Sequence, residues 1–213
     1  MSGVPSEVLQ VLETGRYNPN SIVVLEKFVE QQVNEQRYHP EANMALLKLY
    51  QFFPKQRNDA IMLRVLCKSL TRLSDFLPCL YLLPETMRSN PGAKDVMKMA
   101  DALEACKFQL FWDIFASCTV VKGVPGLADR VRDFIGSVLA ITYQQVPLTF
   151  VVQNMRFAND AEMDTFFSRK GWKREGNLVN IPVGEENTEK SSSSQQGAIT
   201  FAKVAPLINA ISH

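Results

Sequence analysis

The side chains able to do chemistry in this chain are few and scattered. Four cysteines, Cys67, Cys79, Cys106 and Cys118, include no C-x-x-C pair, and the histidines are His39 and His213. A tetrahedral zinc site draws its soft ligands from close pairs, so this spacing speaks against a metal, and the thiols read as buried and reduced. Nucleophile elbows, phosphate cradles and zinc-protease helices leave the signatures G-x-S-x-G, G-x-x-x-x-G-K-[ST], G-x-G-x-x-G and H-E-x-x-H; none occurs in the 213 residues. His39 stands directly before Pro40 and reads as a loop residue at a helix start. Glu185 and Glu186 lie in a polar run and read as solvated charge. No residue is assigned to catalysis, cofactor or metal, and the expectation is a protein that is not an enzyme and carries no cofactor.

One cluster does suggest contact chemistry. Arg169, Lys170, Lys173 and Arg174 gather within six positions, and such a group can hold phosphates of a nucleic acid backbone. Against this, Asp160, Glu162 and Asp164 open the same segment, and residues 145–213 carry seven Lys and Arg against seven Asp and Glu. The whole chain, with 23 basic and 22 acidic residues, lacks the basic footprint of a dedicated nucleic-acid binder. Two readings therefore stand: direct RNA contact through those four cations, or a solvated or partner-facing patch.

The elements that position these residues are mostly helical. Asn18 and Pro19 predict a helix start, with Ile22, Leu25, Val29 and Val33 as its buried stripe up to about Gln36. Pro40 opens a second helix with Met44, Leu47, Tyr50 and Phe53 inward, which Pro54 stops. Asn58 caps a third with Met62, Leu66, Leu70 and Leu73 inward, Ser74 caps a short one, and a helix restarts near Pro91 with Val96, Ala100 and Leu103 inward. The segment FQLFWDIFASC is apolar on all sides and is expected to be central. Helix starts near 6, 19, 40, 59, 75, 92 and 107 have the cadence of paired helices joined by short turns. Stacking such pairs gives a HEAT- or TPR-like array over residues 1–125, although no internal sequence repeat is visible.

The glycines and proline of VKGVPGLADRV break that pattern. Beyond them comes a long helix, Leu127 to Tyr143, with Leu127, Val131, Phe134, Val138 and Ile141 on one side. An extended link or single strand follows at Gln144 to Val146, then a helix after Pro147, and a third helix capped by Asp160. In this last one Met163, Phe166 and Phe167 face inward, and it ends at Gly171. GWKREGNLVNIP then reads as a β-hairpin turning at Glu175, Gly176 and Asn177. Three helices and a terminal hairpin over 126–183 have the order of a winged helix, with Trp172 packing under the wing. Residues 184–198 are polar, Ser-rich and aperiodic, and read as a flexible loop; 199–213 are expected to form a strand and short helix. The fold class is mainly α, a helical repeat followed by a small winged helix.

Helical repeats followed by a winged helix are similar to the PCI-type modules that scaffold large complexes. RYNPNSIVVLEKFVEQQVNEQRYHPEANMALLKLYQF, ALEACKFQLFW, VRDFIGSVLAITYQ and KGWKREGNLVNI resemble, in register from about residue 16 to residue 181, the subunit k family of eukaryotic translation initiation factor three. The resemblance implies a non-catalytic subunit, held in the larger complex chiefly through subunit l, while the complex as a whole binds the small ribosomal subunit. The polar segment 184–198 departs from the family pattern. Array grooves and a wing's strand edge are natural partner surfaces, so the expected contact residues are Phe167, Lys170, Trp172, Lys173, Arg174 and Val179; Phe167 and Trp172 equally suit an internal position. With no cationic, apolar leader and no run of about 18 apolar residues, a soluble, cytoplasmic, non-membrane protein is expected.

Overall fold

The computed structural model describes residues 3–184 and Asn187. The first eight helices are α1 (Ser6–Thr14), α2 (Ser21–Asn34), α3 (Pro40–Phe52), α4 (Asp59–Ser69), α5 (Phe76–Leu82), α6 (Glu85–Arg88), α7 (Pro91–Glu104) and α8 (Phe108–Ser117). After a 3-10 turn at Val120–Gly123 come α9 (Leu127–Thr142), β1 (Gln145–Pro147), α10 (Leu148–Met155), α11 (Asp160–Lys170), β2 (Lys173–Glu175) and β3 (Leu178–Asn180). This is a helical repeat followed by a winged helix, with one small antiparallel sheet. The predicted loop and tail at 184–198 and 199–213 lie outside the described residues apart from Gly184 and Asn187.

Local capping chemistry explains most of the helix starts. His39 Nδ1 accepts the Ala42 N–H at 3.2 Å, and Pro40 takes the first helical position, where a missing N–H costs nothing. Asn58 Oδ1 accepts the amides of Ala60 and Ile61 at 3.1 and 3.3 Å. Asn90 Oδ1 accepts from Gly92 at 2.8 Å before Pro91. Three predicted caps are corrected. Asn18 spends its side chain on the Asn20 amide at 3.0 Å, an Asx turn that delays α2 to Ser21. Ser74 sits inside a 3-10 turn, Leu73–Asp75, and α5 starts with no side-chain cap. Asn159, not Asp160, caps α11, accepting from Glu162 N at 2.9 Å, while Glu162 Oε2 reaches back to the Ala158 amide at 2.6 Å.

Packing follows the chain. α1 lies on α2, α2 on α3, α3 and α4 on α5, α4 on α7 and α7 on α8; α10 then touches both α8 and α9. The buried apolar residues form one connected cluster from Val8 to Ile181. Ile22, Leu25, Val29 and Val33 of α2 are buried as predicted, and so are Val96, Ala100 and Leu103 of α7. Two faces differ from expectation. α8 buries only Phe108, Phe111 and Trp112, while Leu110 is 48% exposed and Asp113 also faces outward; with helices on one side only, an apolar sequence does not make a central helix. In α9 the buried face is Leu127, Val131, Ile135 and Leu139, whereas Ile141 is 51% exposed, so the stripe is rotated from the Phe134–Val138–Ile141 line.

The sheet has the order β1-β3-β2, all antiparallel. The extended link before α10 is thus a strand, and it makes β3 central: Val179 faces Val146 on one side and Arg174 on the other. Gly176 sits at the first turn position of the wing with φ 60, a conformation open to glycine at no steric cost.

Candidate functional site

The predicted contact residues divide by burial. Phe167, Trp172 and Val179 are interior, at 4%, 5% and 0% exposure. Trp172 stacks edge-on to Phe166 with centroids 5.6 Å apart and lies 5.7 Å from the Phe167 ring; Phe157 meets both phenylalanines. This aromatic group is what the wing closes over, so Phe167 and Trp172 take the internal of the two positions open to them, and Val179 is corrected from contact surface to core. Their apolar bulk is consumed within the chain.

The cations divide as well. Arg169 and Lys170 occupy the last turn of α11, where the helix dipole favours positive charge. Arg169 grips Asp133 of α9 with both Nη atoms, at 3.0 and 2.9 Å, and Lys170 Nζ is 3.2 Å from the same carboxylate. Both also lie over the Phe166 ring, at 5.4 and 5.8 Å. Lys173 and Arg174 stand on β2, exposed, with no carboxylate partner among the described residues, and Arg174 Nε donates only to the Gly176 carbonyl at 3.4 Å. The four-cation cluster is therefore two tethered and two outward charges. β2 pairs only with β3 among the described residues, so its outer edge carries unpaired backbone groups beside Lys173 and Arg174.

Sequence reasoning passed over the polar centre of this half. Arg132, on the buried face of α9, donates from Nε to the Met155 carbonyl at 3.0 Å, from Nη2 to the Arg156 carbonyl at 2.8 Å and from Nη1 to Glu162 at 2.6 Å. Its guanidinium lies 5.2 Å from the Trp112 ring and 5.5 Å from Phe157. Trp112 in turn donates its indole N–H to the Asn154 carbonyl at 2.8 Å, tying α8 to α10. The signal was there to read, since Arg132 stands at i−3 and i−7 to the buried Ile135 and Leu139.

Burial pushes the Cys67 thiol up to about 12 and Cys79 up to about 11, which keeps both protonated and weakly nucleophilic at neutral pH. Cys118 is also buried, but Cys106 is exposed, in the α7–α8 turn, and corrects the expectation that all four thiols are covered. His39 serves as a cap through Nδ1. Among the described residues no group of three or more His, Cys, Asp or Glu could hold a metal, and no helix is long and apolar enough to cross a membrane.

The profile of the CSN8/PSMD8/EIF3K family matches residues 56–192, a span that starts just before α4 and includes the whole winged helix. The chain belongs to the CSN8/PSMD8/EIF3K family. Within it, the chain is 35% identical over 205 residues to the Anopheles gambiae protein named eukaryotic translation initiation factor 3 subunit K, covering 95% of this chain and 91% of that one. The proteins of that name from Nematostella vectensis and Homo sapiens are 32% and 34% identical over 198 and 160 residues, covering 92% and 74% of this chain and 91% and 73% of theirs. The segments that resembled subunit k lie on α2–α3, α7–α8, α9 and the wing, the elements that build the core of this CSN8/PSMD8/EIF3K member.

Proposed function

We propose that this chain is a non-catalytic scaffold subunit of the eukaryotic translation initiation factor three complex, working in the cytoplasm. The observation that carries the reading is the alignment of 95% of its length with a relative named subunit K of that factor. The architecture supports it, because stacked helices offer long faces and the outer edge of β2 offers backbone groups for strand addition. In this reading 1–125 and 126–183 are two units, and the contact with the complex runs chiefly through subunit l; the small ribosomal subunit is engaged by the complex as a whole. Of the expected contact residues, Lys173 and Arg174 present outward charge, while Lys170 is part-buried and tethered to Asp133.

The test is coexpression with subunit l followed by size exclusion with light scattering. A stoichiometric pair is expected; two separate monomers at micromolar concentration would sink the assignment. The outward Lys173 and Arg174 favour, as a second reading, direct contact with RNA. Two phosphate contacts to a single strand predict a log–log salt slope of about −1.4, and a double Lys173→Glu, Arg174→Glu change that removes RNA affinity but keeps subunit pairing would select that reading.

A further inference from the structure

A cavity of about 460 Å3 opens between the end of α2, the end of α4 and the loop that leads into α9. Lys68, 4% exposed, forms its floor, Arg37, Arg72 and Arg130 stand at its rim, and no Asp or Glu lines it among the described residues. Two of these cations have carboxylate neighbours outside the cavity: Arg72 Nε is 3.4 Å from Asp75, and Arg37 Nη1 is 3.4 Å from Glu35. Lys68 and Arg130 have none among the described residues. Lys68 Nζ donates to the Gln32 carbonyl at 3.1 Å and Arg130 Nη2 to the Gln36 carbonyl at 3.3 Å.

Those carbonyls belong to the end of α2 and the turn after it, so the simplest role for both cations is to cap that end. The magnitudes show that capping is not enough. A helix C-terminus offers about half a negative charge against two full positive ones. The start of α9 meets the cavity with no side-chain cap, since Gly126, at φ 74, precedes this 16-residue helix, and Asp129, the acid of its first turn, lies 3.0 Å from Arg132 Nη1 and not in the cavity lining. Gly126 holds a positive φ that strains any other residue, and a Cβ there would also displace the flexible Gln36 side chain. Burial, with Arg130 nearby, pushes Lys68 down to about 8, as befits an ammonium without a counter-ion.

We propose that this cavity is an oxyanion site that takes a phosphate group, either free or as the ester of a small molecule. Arg72 and Arg130 supply planar forks suited to two oxygens each, Lys68 a point charge beneath them, and the α9 N-terminus backbone donors. The apolar wall of Val124, Pro125 and Leu127 leaves room for the body of an ester. The site draws on the lining of this cavity alone and does not depend on the subunit assignment.

The test is thermal melting of the full chain with inorganic phosphate and, separately, with O-phosphoserine, each against sodium chloride of equal ionic strength. Both probes should raise Tm beyond chloride, and tighter protection by O-phosphoserine would identify the ester as the preferred form. Arg130→Gln and Lys68→Met should each weaken the apparent affinity tenfold or more, while Lys107→Glu, at an exposed position outside the cavity, leaves it unchanged. Protection by neither probe, or equal protection of all variants, overturns the site. Should Arg130→Gln melt early by itself, amide shifts of the unaltered protein decide: phosphate-induced shifts at Gly126 to Asp129 support the site, and shifts confined elsewhere, or produced only by single-stranded RNA, overturn it.

Discussion

Arg132 Nη1 stands 2.6 Å from Glu162 Oε1, and this pair fastens α9 to α11. The arginine side chain is only 10% exposed, the glutamate 31%, and Asp129 remains 3.0 Å from the same guanidinium. The two partners are therefore unequal. Arg132→Ala should cost about 3–5 kcal/mol, because it strips the N–H donors from the Met155 and Arg156 carbonyls and a cation from two aromatic faces. Glu162→Ala should cost about 1–2 kcal/mol, since the arginine keeps its other acceptors. Urea unfolding of both variants checks this, and equal losses would show that the pair, not the arginine's wider network, holds the helices.

α8 gives a second contrast. Phe111 is fully buried beside Trp112, with ring centroids 5.0 Å apart, whereas Leu110 is 48% exposed on the opposite side. Phe111→Ala is expected to cost about 3–5 kcal/mol, and Leu110→Ala to stay within about 0.5 kcal/mol. Thermal melts distinguish them; a costly Leu110→Ala would mean that α8 is covered on both faces.

Much of the fold was legible because it is written in local chemistry. Pro40, Asn58 and Asn90-Pro91 announce helix starts within a few residues, and the Gly176-Asn177 pair announces the wing. What local reading could not settle is which of two overlapping stripes a helix buries. In α9 both Val131–Phe134–Val138 and Val131–Ile135–Leu139 have helical spacing, and only the neighbours packed on it choose the second. Arg132 escaped because a charged residue reads as solvated unless its acceptors are known, and these come from Met155, Arg156 and Glu162, 23 to 30 positions away. The basic cluster was visible as a cluster, but Asp133, which holds Arg169 across 36 positions, was not. Phe167 and Trp172 lie where wing meets helix, so sequence alone left open whether they face a partner or each other, and Val179, on a strand read as the wing's open edge, was expected to face outward until β1 proved to pair with it.

The caps predict a graded series. Asn58 holds two amides of a helix that lies on α2, α5 and α7, so Asn58→Ala should cost about 1 kcal/mol. Asn18 holds one amide in an exposed turn ahead of α2, and its removal should cost less than half as much. Denaturant midpoints order the two, and a reversal would place the true start of α2 at Pro19.

Lys68 makes stability depend on pH in a definite direction. Burial first, with Arg130 adding, lowers its folded value from the ordinary 10.5 to about 8. Below pH 8 both folded and unfolded chains carry the charge, and the folded state bears the full cost of holding it inside. Between pH 8 and 10.5 the unfolded chain still binds the proton that the folded one has released, so this residue's contribution to stability rises with pH across that window. Tyr38 and Tyr50 act oppositely: burial raises both phenols far above the ordinary 10, so the stability they add is full below pH 10 and declines above it. Comparing the parent chain with Lys68→Met removes the tyrosine contribution, which is common to both. Met in place of Lys should therefore help more, or harm less, at pH 7 than at pH 10, by about 2–3 kcal/mol, read from urea unfolding at the two values. A difference that does not change with pH would show that Lys68 titrates as in the unfolded chain, and that its ammonium is compensated where it sits.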